Sequence, residues 1–105
     1  MPLTRDFRET VQARAARDPA FREAMFQEAV EALLQGDVDD GRSALRAYIN
    51  ATIGFEKLAT ALDRPPKSLM RMFGPSGNPR AENLFAVISA LQKTSGVRLE
   101  VAAAE

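Results

Sequence analysis

The chain has neither cysteine nor histidine. No disulfide framework and no thiolate zinc site are therefore open to it. The missing imidazole removes the commonest general base and metal ligand, and every serine or cysteine triad that depends on one. No apolar run is long enough to span a membrane, and Met1-Pro2-Leu3-Thr4-Arg5-Asp6 lacks the apolar centre of a secretory signal. The expectation is a cytoplasmic protein with no membrane partner. Net charge is lacking too, because 14 Lys and Arg balance 14 Asp and Glu. At 105 residues and 46% apolar content, the chain suffices for one domain, or for one domain with an added arm.

Carboxylates remain as catalytic candidates, and Asp37, Asp39 and Asp40 are the nearest set. They lie between Gly36 and Gly41, where Asp serves as turn former and helix cap. The run Asp37-Val38-Asp39-Asp40-Gly41 lacks the ligand spacing and the closing Glu of a calcium loop. No catalytic residue, metal or cofactor is expected.

Helical periodicity fills most of the sequence. Phe7, Val11 and Ala15 mark a first helix, with Leu3 one turn upstream. Asp18-Pro19, an N-cap followed by proline at the first helical position, starts a second helix that runs to Gln35 and is stopped by Gly36. This helix carries two apolar stripes, Met25-Ala29-Ala32 and Phe26-Val30-Leu33. One stripe suffices for its own domain, so the second faces either a partner or a covering Leu3-Phe7-Val11 segment. A third helix is expected from Asp40 to Ala51, with Leu45, Tyr48, Ile49 and Thr52 on one side. After Gly96, Val97-Arg98-Leu99-Glu100-Val101 alternates apolar and polar, the pattern of a short half-buried strand. Such a strand needs a pairing partner, which a symmetry mate would supply; otherwise it is a tail lying on the helices.

The most informative stretch is 54–91. Phe55, Leu58, Ala59 and Leu62 form one face of a short helix, which Gly54 caps. Asp63-Arg64-Pro65-Pro66 breaks it, and Lys67 to Phe73 forms a second short helix that ends at Gly74-Pro75-Ser76-Gly77-Asn78-Pro79. Leu84, Val87, Ile88 and Leu91 mark the helix that closes the unit. Two such helices joined by a four-residue turn are how a helix-turn-helix sets one helix into the DNA major groove. Charge agrees: from Arg64 to Arg80 the chain has Arg64, Lys67, Arg71 and Arg80 and no acid.

On a helical wheel, Leu69, Met72 and Phe73 point inward while Lys67 and Arg71 point out together, flanked by Ser68 and Met70. Long cations reach phosphates or guanine edges, and a hydroxyl bonds either. Arg71 suits a guanine because its planar fork binds O6 and N7 together. The loop with Ser76 and Asn78, followed by Arg80 at a helix start, suits a phosphate. The expected DNA-binding set is thus Arg64, Lys67, Ser68, Arg71, Ser76, Asn78 and Arg80.

These residues carry a family resemblance. The span 54–91 resembles the Xre/Cro/lambda-repressor helix-turn-helix domain. More narrowly, Ala44-Leu45-Arg46, Phe55-x-x-Leu58-Ala59, Lys67-Ser68-Leu69-Met70-Arg71-Met72, Gly77-Asn78-Pro79 and Asn83-Leu84 resemble small addiction-module antidote proteins. The resemblance implies an antitoxin that represses its own operator as a homodimer and holds a RelE/ParE-type toxin. Two positions depart from the pattern: Asp63 stands where the turn carries Gly, and Pro65-Pro66 stand where a Ser or Thr cap opens the second helix.

The sequence therefore predicts an all-α, lambda-repressor-like helix-turn-helix bundle. Residues 1–39 form an N-terminal helical extension for dimer or partner contact, 40–96 the DNA-binding domain, and 97–105 a short strand and tail. The expected partner is double-stranded DNA with a palindromic operator, its half-sites about 10 bp apart. The competing readings are a stand-alone repressor without a toxin and a helical protein-interaction module, the latter favoured by the zero net charge.

Overall fold

A computed structural model describes residues 5–104, the side chain of Arg5 excepted. It is all-helical, with α1 Arg5–Arg17, α2 Pro19–Leu34, α3 Val38–Ala51, α4 Phe55–Leu62, α5 Pro66–Met72 and α6 Ala81–Ser95. Among the described residues, no helix is long and apolar enough to cross a membrane.

The helix boundaries follow from local chemistry. Asp18 caps α2, its carboxylate accepting from the Phe21 N–H at 3.1 Å, and Pro19 occupies the first helical position. The C-terminus of α1 is satisfied in a less predictable way, since the Arg22 guanidinium reaches back to the carbonyls of Ala15 and Ala16. Helix α2 ends at Leu34, one residue earlier than expected, with Gln35 as its C-cap and Gly36 at φ +88°. Helix α3 begins at Val38 rather than Asp40. Asp39 and Asp40 then sit in its first turn, where their charge suits the helix dipole.

The core runs from α2 through α6. Phe26 of α2 is fully buried and stacks on Tyr48 of α3, ring centroids 4.7 Å apart and 12° from parallel. Leu45 and Ile49 of α3, Leu58 of α4, Leu69 of α5 and Val87 and Leu91 of α6 complete one continuous cluster. Phe55 and Phe73 close its lower end in a tilted pair at 6.1 Å.

Both stripes of α2 are accommodated inside this core. Ala29 and Phe26 are buried, and Met25, Val30 and Leu33 pack half-buried against them. Within the Phe26 stripe, for which either a partner or a covering Leu3-Phe7-Val11 segment was expected, the Phe26 ring is covered by Tyr48 of the same chain. Leu3 lies outside the described residues, and Phe7 is half exposed. Helix α1 docks on α3 by other means: Ala15 is buried and the Gln12 amide donates to the Asn50 carbonyl at 2.9 Å.

The strand expected over Val97–Val101 is not formed. Gly96 caps α6 at φ +76° and turns the chain back along it as an extended tail. The Val97 N–H donates to the Ser95 hydroxyl at 3.2 Å, and the Leu99 N–H to the Gln92 side-chain carbonyl at 2.9 Å. Side chains of α6 thus engage two N–H groups on one edge of the segment, and the alternation of apolar residues lays Val97 and Leu99 on the core.

Candidate functional site

The helices α4 and α5 are joined by Asp63-Arg64-Pro65. Asp63 is the C-cap of α4 at φ 53°, ψ 50°, the left-handed region. Asp is among the few side chains that tolerate it, which is how the connection turns here without glycine. Pro65 is the N-cap of α5 and Pro66 its first residue. Neither offers a side-chain cap, but a proline at the first helical position leaves no N–H to satisfy.

Helix α5 divides as its wheel predicts. Leu69 and Phe73 are buried and Met72 is half-buried against the core, while Lys67, Ser68 and Arg71 are exposed. Met70, 46% exposed, belongs to the outer face and not to the core. The side chains of Lys67, Arg71 and Arg80 make no ion pair or hydrogen bond with any described residue. Their charge is uncommitted and directed to solvent.

Five of the seven expected residues converge. Ser68, Arg71, Ser76, Asn78 and Arg80 line one shallow concavity of about 370 Å3, together with Met72, Gly77, Pro79 and Asn83. Its lining contains two arginines and no carboxylate. Arg80 is the N-cap of α6 and makes no side-chain cap bond, so the first N–H groups of a 15-residue helix begin at the rim. Lys67 stands outside the lining, on the exposed face of α5. Arg64 lies at the other end of α5, in a second concavity with Asp63, Pro65 and Pro66. It is tied to the first through Asn83, to whose side-chain oxygen it donates at 2.7 Å.

The loop that carries Ser76 and Asn78 is held through its main chain. The Gly77 N–H donates to the Gly74 carbonyl at 3.0 Å, and the Gly77 carbonyl accepts from the Arg42 guanidinium of α3. Arg42, with only 13% of its side chain exposed, is itself paired with Asp39 at 3.1 Å. Any Cβ at Gly77 would collide with the carbonyl oxygens of Arg71 and Met72, so the loop lies directly on the end of α5. Arg42 and the link from Arg64 to Asn83 were not expected from the sequence. Arg42 is 35 residues from its partner, and no periodicity connects them. No protein-family model, curated protein or solved structure matches the chain.

Proposed function

We propose that this chain is a sequence-specific DNA-binding transcriptional repressor of the lambda-repressor-like helix-turn-helix kind. In this reading α4 and α5 are the motif, with α5 in the major groove, and a cytoplasmic homodimer binds a palindromic operator. The observation that carries it is the concavity of Ser68, Arg71, Ser76, Asn78 and Arg80 beside α5, free of carboxylates in a chain with no net charge. Arg71 and Lys67 project from the outer face of α5, where base edges and phosphates are within reach of long cations. Arg80, Ser76 and Asn78 suit a backbone phosphate at the start of α6. Pairing with a RelE/ParE-type toxin rests on the resemblance of Lys67–Met72 and Gly77-Asn78-Pro79 to addiction-module antidotes. Rescue of growth by this chain when the adjacent reading frame is expressed tests that pairing.

The DNA reading is tested by anisotropy on the chain's own upstream DNA against a scrambled duplex, over a range of salt. Contact with four to six phosphates gives a log–log salt slope of about −4 to −5. Lys67→Ala with Arg71→Ala abolishes the preference for upstream DNA while the helical circular dichroism stays unchanged. Wild-type binding by that double variant, or weak binding indifferent to sequence, would reject the assignment in favour of a protein-interaction module.

A further inference from the structure

Beyond Gly96, burial and hydrogen bonding alternate in the same step. Val97 and Leu99 are half-buried and their N–H groups are spent on Ser95 and Gln92, while Arg98 and Glu100 are exposed. The N–H and C=O groups of Arg98 and Glu100 have no partner among the described residues. A period of two in both properties is that of an extended chain with one edge docked and the other open. An open edge of this kind is a template for another chain.

We infer that two copies of this chain pair antiparallel through residues 97–101, with the two-fold axis at Leu99. The inference rests on the homodimer of the reading above and names its surface. The register follows from which groups are free. Residues that exchange both hydrogen bonds in an antiparallel pair alternate with residues that exchange none. Val97 and Leu99 are already engaged, so Arg98 and Glu100 must be the bonded positions. The two neighbouring registers set Arg98 against Arg98 or Glu100 against Glu100, and like charges directly opposite are unfavourable. The remaining register sets Arg98 against Glu100 of the second copy, and two-fold symmetry makes that ion pair twice. It also sets Leu99 against Leu99 and Val97 against Val101.

Val101 is 84% exposed in the single chain, and this pairing covers it. Phe85, 64% exposed, lies seven residues before Gln92, on the same flank of α6 and in the direction the tail runs. It extends the apolar surface available to the second copy.

Sedimentation equilibrium of the full chain, from low to high micromolar concentration, tests the surface. Glu100→Arg turns both ion pairs into like-charge pairs at once and raises the dimer dissociation constant by about tenfold or more. Arg98→Glu acts in the same direction, but Arg98 shares a groove with Glu23 of α2, which makes Glu100→Arg the cleaner single change. The double variant R98E/E100R exchanges the charges and restores dimerisation to within about threefold of wild type. All three keep the helical signal, since both side chains are exposed. Wild-type dimerisation by Glu100→Arg, failure of the double variant to recover, or a wild-type chain that stays monomeric overturns the inference. A half-site duplex separates this from the DNA reading: Glu100→Arg retains half-site contact, whereas the Lys67 and Arg71 double variant dimerises normally and loses it.

Discussion

Phe26→Ala measures whether α2 belongs to the core or to an arm. The side chain is fully buried, stacked on Tyr48 and surrounded by the cluster that reaches α6. Truncating a buried Phe to Ala costs about 3–5 kcal/mol in transfer and cavity terms. A domain of this size has roughly 5–15 kcal/mol to lose. At an m-value of about 2 kcal/mol per molar, the urea midpoint falls by about 1.5–2.5 M. Far-UV circular dichroism at fixed protein concentration reads this directly, with Leu34→Ala as control. Leu34 lies on the same helix but is 65% exposed, so its truncation stays within about 0.5 kcal/mol. By the same argument, a chain that begins at Val38 lacks Phe26 and Ala29 and does not keep a folded core. A loss below about 1.5 kcal/mol for Phe26→Ala would mean that α2 is an appendage, and the reasoning would be wrong.

Two further outcomes follow from single atoms. The Tyr48 hydroxyl is buried with no hydrogen-bond partner among the described residues, so Tyr48→Phe stabilises the chain by about 1 kcal/mol in the same denaturation assay. A loss of that size would show that the hydroxyl is satisfied after all. Gly77→Ala forces the 74–80 loop off the end of α5, lowers stability by roughly 1–3 kcal/mol, and weakens upstream-DNA binding beyond that loss. An unchanged melting temperature would show that the close approach is not maintained in solution.

The helices were readable because each carries its own local signals. Asp18-Pro19 starts α2, Pro65-Pro66 separates α4 from α5, and the inward Leu69-Met72-Phe73 set was visible on a wheel. The left-handed Asp63 was also legible, since its residue type allowed what the turn demanded. Pairings across the chain were not. Two stripes on α2 look alike in sequence, and only Tyr48, 22 positions after Phe26, decides that Phe26 is inside. The alternation in Val97–Val101 has one period whether its edge meets a strand or the side chains of Ser95 and Gln92. Charge and spacing brought Ser68, Arg71, Ser76, Asn78 and Arg80 into view, but the Asn83 oxygen that holds Arg64 and the Arg42 that holds Gly77 left no pattern.

The way the 74–80 loop is fastened bears on how such a surface can change. Its anchors are main-chain atoms of Gly77, a guanidinium from α3 and the end of α5, and none of them belongs to Ser76 or Asn78. Both of those side chains are exposed. Substitutions at 76 and 78 therefore alter the chemistry presented beside α5 while the backbone under them stays in place, and each costs the fold little. A library randomised at these two positions, with Arg42 and Gly77 kept, should consist mostly of folded chains that differ in what they bind. One randomised at 42 and 77 should not.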